Sequence, residues 1–550
     1  MRSSSRPLRR LAVLAPGWLD RATVAQSLLA GVAALLGSYA VVGFTPAFVV
    51  APVESFLVRW MPGQVIRFAI TVLGDLGKKL NLLAGISLTV GGFAALSFVT
   101  LSLARRAGRP SNAGTDATPA APVLAAVVTG GAAVVAAFAL TSGEAASSLG
   151  AGLAAGIAAG VSEIGLGTRP RDADPSGRRR LLGSIGALAL GGAAAGYLGS
   201  RGGLSSDAEI ESDPDVTQPA DVLSGNVTGT NGSRMRGGGT ATADGSGESV
   251  AEAVDARLAE AAEKSLDVDG IEPLVSENFY RTDINNAVPT PDVEGWSLSI
   301  TGAVASGQSF EFADIASIEP QHRFVTLRCV GENLNGNKMD NALWTGVPVG
   351  PLIERANPRG DYVMARAVDD YFEEFPLEAL RGSFLAYGMN GERLPRRHGY
   401  PVRLLVPGHW GEINVKWIDE IEVLTNPDKG YWEEKGWHGT GPVKTVAKIK
   451  AINRMGDRIQ VGGHAYAGTR GVSAVEVSID GGDTWQEATV SDRLPGQDVW
   501  RQWSHEYDSP GSRHEVVARA IEDDGTVQPE EETGSFPSGP SGWVTRTVQG

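Results

Sequence analysis

RRHGYPVRLLVPGHWGEINVKW, residues 396–417, decides how the second half of this chain is read. PVRLLVPG (401–408) and VKWIDEIEVL (415–424) have the length and apolar character of buried strands, with glycine and proline turns between them. The same stretch is dense in cations and glycine. Glycine lets backbone N–H groups approach an anion, and Arg403 and Lys416 add positive charge. The surroundings are acidic: residues 201–550 hold 31 Lys+Arg against 55 Asp+Glu, a net of −24. A basic island in that background predicts a site for a phosphate-bearing cofactor. The acidity argues against nucleic acid as a partner, since phosphate backbones need a basic face.

Working outward, WSLSITGAV (296–304) and HRFVTLRCV (322–330) alternate as strands do, while VPVGPLIERA (347–356) and PLEALR (376–381) predict short helices. The mixture predicts an α+β domain over 271–440. From about 442 onward the pattern is short strands only: TVAKIKAI, RIQVGGHAYA, VSAVEVSID, TWQEATV and HEVVARAIED, separated by Gly, Asp and Pro turns. That spacing predicts an all-β sandwich over 441–550. Upstream, residues 201–270 include GSRMRGGGTATADGSGES, which cannot bury a core and reads as a flexible linker, with a short amphipathic helix at 249–265.

Residues 1–200 are different in kind, with 17 Lys+Arg and 8 Asp+Glu. Five apolar stretches (24–44, 82–104, 122–142, 146–166 and 181–199) approach the ~20 residues that cross a bilayer. They predict an α-helical transmembrane bundle, and 65–75 adds an interfacial piece. Arginines cluster before the first span, after the second (Arg105, Arg106, Arg109) and after the fourth (Arg169, Arg171, Arg178, Arg179, Arg180). With five spans these clusters share one side. The positive-inside rule makes that side cytoplasmic and puts everything after Arg201 outside. The expectation is a multi-pass cell-membrane protein with its globular half extracytoplasmic.

Cys329 is the chain's one cysteine, which excludes an internal disulfide, CxxC zinc sites and iron–sulfur clusters. No histidine precedes His322, so paired histidines cannot hold a haem in the spans. GxSxG, HExxH and Walker loops are all missing. By itself a lone cysteine reads as a small buried apolar residue. Cys–His nucleophilic catalysis with His322 or His409 stays open at this point.

TLRCVGENLNGN (326–337), WTGVPVGPLIE (344–354), FLAYGMNGERLPRRHGYPVRLLVPGHWGEINVKW (384–417) and GYWEEKGWHGTGPV (430–443), in this order, resemble the sulfite oxidase family of molybdopterin enzymes. VEVSIDGGDTWQEA (475–488) resembles the immunoglobulin-like domain that accompanies it and often mediates dimerisation. The resemblance implies a molybdenum–molybdopterin cofactor. It implies Cys329 as the thiolate ligand to molybdenum, a soft donor suited to a redox metal, and Tyr371 as the active-site tyrosine. In NFYR (278–281) it points to Tyr280 and Arg281 as pterin contacts; His398, Arg403, Asn414, Val415 and Lys416 complete the implied cofactor site. It further implies two-electron oxygen-atom transfer, a separate electron-transfer protein or membrane redox partner, and a homodimer through the C-terminal domain.

One departure bears on substrate. Where animal and plant sulfite oxidases carry an Arg-Asn-His stretch, this chain has Asn285, Asn286 and Ala287. Loss of the basic pair weakens the case for a sulfite-sized dianion, so sulfite oxidation and reduction of S- or N-oxides are both expected readings. The rival from another class is a cofactor-free extracytoplasmic binding or receptor protein that keeps the fold.

Overall fold

The computed structural model describes residues 21–107, 120–167 and 249–550. The chain divides into two compact units: 1–60 with 78–210 and 285–287, and 61–77 with 211–284 and 288–550.

In the first unit, Thr23–Val42, Leu76–Ala104, Val123–Leu140 and Ala145–Ser162 lie in helices long and apolar enough to cross a membrane. The expected stretch at 181–199 lies outside the described residues, as do 201–248 of the expected linker. Small residues bring these helices together. A Cβ on Gly37 would stand 2.2 Å from the Gly150 carbonyl oxygen, and one on Gly130 2.9 Å from that of Gly152. Backbones this close gain dispersion contacts that need no water-driven burial. Large apolar side chains point outward instead: Val127, Val135, Leu153 and Ile157 are all more than 60% exposed.

The second unit holds four β sheets and a capped helix, Val250–Lys264. Ser249 and Glu252 close a capping box at its start, satisfying two backbone donors reciprocally. A mixed sheet runs β2-β1-β10-β5-β6, from β1 (Ser297–Gly302), β2 (Gln308–Glu311), β5 (Tyr362–Ala367), β6 (Phe372–Pro376) and β10 (Ile418–Leu424). β1 is parallel to β10 and the other pairs are antiparallel. An antiparallel sheet takes β3 (Gln321–Arg328), β4 (Met339–Pro348), β7 (Phe384–Met389) and β8 (Glu392–Arg393), with β9 (Arg403–Leu405) on β7. Alternation on β7 serves both faces. Leu385 and Tyr387 pack with Leu298, Ile300, Val363 and Ile421 in one core, while Phe384 and Ala386 pack with Val325, Leu327 and Trp344 in another. Phe279 and Tyr280 lie against that second core.

Residues beyond 445 form two four-stranded sheets. One runs β11-β12-β16-β15, the other β14-β13-β17-β18. Their strands are β11 (Val446–Met455), β12 (Arg458–Tyr466), β13 (Val472–Ser478), β14 (Gln486–Glu487), β15 (Thr489–Val490), β16 (Arg501–Asp508), β17 (His514–Glu522) and β18 (Val544–Val548). Two of them, β16 and β18, have too little apolar alternation to be read from sequence. Gln502 in β16 is buried because its amide is used: Oε1 accepts from the Leu266 N–H at 2.7 Å and Nε2 donates to the Glu272 carbonyl at 2.8 Å.

Two expected strands are shorter than their apolar runs. Only Arg403–Leu405 of 401–408 is strand, bounded by Pro401 and Pro407, which supply no ladder N–H. In 415–424 the strand begins at Ile418, because Trp417 adopts a left-handed backbone with φ 52°.

A buried charge network joins the antiparallel sheet to β11. The Arg328 guanidinium donates to Glu332 Oε1 at 2.8 Å, and Lys448 Nζ donates to Glu332 Oε2 at 2.7 Å. Arg328 and Lys448 are fully buried. Further partners are the Lys444 carbonyl for Arg328, at 2.7 Å, and the Gly336 carbonyl for Lys448, at 2.9 Å. Removing the carboxylate would leave the buried Arg328 guanidinium with no counter-charge and Lys448 without its acceptor. Glu332→Ala is therefore expected to cost about 3–5 kcal/mol in chemical denaturation of the solubilised protein. A loss under about 1 kcal/mol would show that the network is replaceable.

Candidate functional site

Cys329 follows the last residue of β3, where the chain leaves the sheet. Its N–H donates to the Lys338 carbonyl at 2.9 Å, which closes the 330–337 loop. The thiol is partly exposed. Burial pushes it up, with Lys338 pulling the other way. A protonated thiol is a poor ligand, so a metal must displace the proton when it binds.

Residues 279–283 connect Cys329 to the basic island. Thr282 Oγ1 lies 4.0 Å from Cys329 Sγ, and the Thr282 carbonyl accepts from Lys416 Nζ at 3.0 Å. Lys416 also pairs with Asp283. Tyr280 anchors the segment by donating its N–H to Asp340 Oδ2 at 2.7 Å. Burial raises the Tyr280 phenol well above its ordinary value, and Cys329 adds to this. Phe279 stands edge-on to both Trp344 and His398, at 5.5 and 5.6 Å between ring centres.

Gly411 permits this arrangement. A Cβ there would sit 2.6 Å from the Tyr280 hydroxyl and 3.2 Å from the Arg328 carbonyl, so a side chain would push the tyrosine away from the cysteine loop.

Arg403 is buried. Its guanidinium donates to the His398 and Asn414 carbonyls, both at 3.1 Å, and lies 5.0 Å over the Trp344 ring. Among the described residues, Nε is a buried donor without a hydrogen-bond partner. Burial pulls Arg403 down to about 10. His398 falls to about 3, first by burial and then by Arg403 and Lys416, so the imidazole is neutral. Lys416 is lowered by burial and supported by Asp283.

The structure thus gathers Cys329, Tyr280, His398, Arg403 and Lys416 around one segment. It treats Arg281, Asn414 and Val415 differently. Arg281 is exposed, with Nε 3.8 Å from Asp283. The Asn414 side chain is spent on the fold, accepting from the Val406 N–H at 2.7 Å and donating to the Trp410 carbonyl at 3.0 Å. The carbonyl of buried Val415 accepts from the Leu404 N–H at 2.8 Å. These two residues hold β9 in place.

The Tyr371 hydroxyl donates to the Glu412 carbonyl at 2.9 Å and is within hydrogen-bond distance of Glu373 Oε1, at 3.0 Å. Glu412 follows Gly411, which is how the phenol connects to the rest of the site. Behind Tyr371 lies a carboxylate group that the sequence did not disclose: Glu373, Glu412 and Glu433. Burial, reinforced by Glu433, holds Glu373 well above the carboxylate range and Glu412 up to about 8. Carboxyl groups so placed share protons rather than all ionising. Thr282, Asp283 and Trp344 were also missed. The first two immediately follow Arg281, and only their distance to Cys329 or Lys416 marks them.

Comparison with known proteins gives this geometry a class. Residues 285–432 match the oxidoreductase molybdopterin binding domain, and 442–538 match the Mo-co oxidoreductase dimerisation domain. Mitochondrial sulfite oxidase of Macaca fascicularis is 28% identical over 328 residues, 47% of this chain and 58% of that one. Sulfite oxidase of Arabidopsis thaliana is 27% identical over 324 residues, 46% of this chain and 81% of that one. Nitrate reductase [NADH] 1 of Phaseolus vulgaris is 26% identical over 320 residues, 44% and 36% respectively. The crystal structure of the sulfane dehydrogenase SoxCD from Paracoccus pantotrophus superimposes with a TM-score of 0.42 at 21% identity, covering 48% of this chain and 78% of that one. These matches support the sulfite oxidase family of molybdenum-cofactor oxidoreductases for the second half of the chain, residues 285–538. The chain spans little more than half the length of the animal sulfite oxidases it matches.

The residues present fit that cofactor. A soft thiol, a buried guanidinium donor left unpartnered and a glycine holding the tyrosine segment close are what an anionic pterin–metal group requires.

The carboxylate group makes stability depend on pH. Glu412 binds its proton more tightly folded than unfolded, so its contribution is complete below about pH 4.5 and is lost as pH rises through about 8. Glu412→Gln is expected to flatten this fall and to raise the thermal midpoint at pH 8.5 by about 2–4 °C. An unchanged slope of midpoint against pH would refute the assignment.

Proposed function

We propose that this chain is a membrane-anchored molybdopterin-dependent oxidoreductase acting by two-electron oxygen-atom transfer on a small sulfur or nitrogen oxo compound. Sulfite oxidation and sulfoxide reduction are the two directions considered. The observation that carries the reading is the convergence of Cys329 and Lys416 on residues 279–283, beside buried Arg403, whose Nε has no hydrogen-bond partner among the described residues.

The cofactor, when bound, supplies two-electron redox chemistry coupled to transfer of an oxygen atom. Cys329 would ligate the metal as its thiolate. Arg403 and Lys416 would hold the anionic end, with neutral His398 and Tyr280 contributing contacts. Arg281 is the most exposed of the proposed contacts, and Asn414 and Val415 would act by fixing the backbone around the site.

Sulfoxide reduction consumes two protons with two electrons, and sulfite oxidation releases the same number. Tyr371 is proposed to orient the substrate or pass it a proton. Burial and Glu433 make Glu373 hold its proton more tightly than a carboxyl in water does, and it hydrogen-bonds the phenol, so it is placed to restore what Tyr371 gives up.

The apolar helices of the first unit are proposed to anchor the chain in the cell membrane, with the arginine clusters inside and the cofactor domain outside. On this reading 1–200 is the bundle, 201–270 the tether, 271–440 the cofactor domain and 441–550 an immunoglobulin-like sandwich. The match of 442–538 to a dimerisation domain supports a homodimer. Electrons would be exchanged with a separate electron-transfer protein or membrane redox partner.

Metal analysis tests the reading. Protein expressed with ample cofactor should hold close to one molybdenum, whereas less than about a tenth of an equivalent would favour a cofactor-free binding protein. Cys329→Ser should retain pterin yet lose turnover, and a fully active serine variant would sink the ligand claim. Turnover of sulfite against that of methionine sulfoxide decides the direction.

A further inference from the structure

Residues 61–77 lead from the first apolar helix into the start of the second, yet they pack with the cofactor-binding unit. They form a helix, Gly63–Phe68, continued by a wider turn, Ala69–Leu73. One face meets the domain at helical spacing. A Cβ on Gly63 would stand 2.5 Å from the Lys435 carbonyl, Ile66 is buried, and the Arg67 guanidinium lies 5.0 Å over the Phe536 ring. Ile70 comes next on this face and packs against the hydrophobic core. Its Cγ2, Trp437 Cη2 and Cys329 Sγ converge on one point, the position of a Cβ on Gly331, at 3.3, 3.7 and 4.0 Å. The opposite face carries Val65, Phe68 and Val72, all exposed.

We propose that residues 63–73 form a cover beside Cys329, and that Ile70 is a specificity-determining residue that limits the site to small free oxo compounds, excluding oxidised side chains of folded proteins. The substrate clause rests on the function proposed above; the cover does not. Phe536 and Trp437 are in ring contact at 5.2 Å, so the surface beneath the cover is a packed aromatic wall. Such a wall does not yield to admit a bulky group. Ile70 is the side chain that the cover places nearest the sulfur-bearing loop, and truncation there opens space at that point without touching the cofactor contacts.

The single cysteine provides a direct test. Full-length cofactor-free protein in detergent would be labelled at Cys329 with iodoacetamide and, separately, with a 5-kDa polyethylene-glycol maleimide. The ratio of the two rates cancels the intrinsic reactivity of the thiol. Ile70→Ala is expected to raise the bulky-to-small ratio by about threefold or more, because it empties part of a packed site. Ile70→Phe should lower it, and Val72→Ala, on the outer face, should leave it unchanged. An unchanged ratio in both Ile70 variants, or an equal rise in Val72→Ala, would overturn the cover. In molybdenum-loaded protein, Ile70→Ala should improve kcat/KM for a folded protein carrying methionine sulfoxide relative to dimethyl sulfoxide. Wild-type preference for the folded protein would overturn the size limit. Lack of turnover on every substrate, with the labelling pattern intact, would reject the enzymatic reading and leave the cover standing.

Discussion

Glu332 sits between two buried cations, and the position of Cys329 depends on it. Arg328 is the residue before the cysteine, and its guanidinium is fixed by Glu332 and by the Lys444 carbonyl. Oε2 of the same carboxylate accepts from the Lys338 N–H at 3.0 Å, while the Lys338 carbonyl accepts from the Cys329 N–H. One carboxylate therefore holds both ends of the loop bearing the thiol. Lys448, drawn to about 7 by burial, ties the arrangement to the first strand of the C-terminal domain. Desolvating three charged groups is expensive and rarely improves stability over an apolar core. What the network provides is position: the thiol cannot drift without uncovering a buried charge.

The remaining site is assembled on that fixed loop by residues 279–283. An irregular segment can do this because each end is pinned, Tyr280 by Asp340 and Asp283 by Lys416. Its exposed face carries Arg281 and Thr282, and its inner face packs Phe279 and Tyr280 on the antiparallel sheet. Positive charge is thereby concentrated inside a strongly acidic domain. A low-dielectric wall of Trp344 and Phe279 keeps water from screening it.

The carboxylate group behind Tyr371 has the opposite character. Burial raises Glu373 and Glu412 above the ordinary carboxylate range, beside a phenol that burial also pushes up. Cation-rich and proton-rich regions thus meet across Gly411 and Glu412, two adjacent residues.

Much of this was legible in the sequence, because the strands alternate and the glycine-rich basic run is local. Cys329 could be singled out as the chain's one thiol, and the TLRCVG and HGYPVR segments carry the family resemblance. Asn414 and Val415 were readable as site positions but not as residues consumed by backbone hydrogen bonds. The Glu373–Glu412–Glu433 group, the Arg328–Glu332–Lys448 network and the approach of Ile70 to the cysteine loop had no sequence signal. Their partners lie tens to hundreds of residues apart, and a glutamate gives no sign in sequence of whether it will face water or another glutamate. Composition and periodicity determined which segments are apolar helix, which mix helix with strand and which are strand alone. Burial decided which charges are paired, which acids keep their protons and what stands over the thiol, because desolvation acts only once the chain has closed on itself.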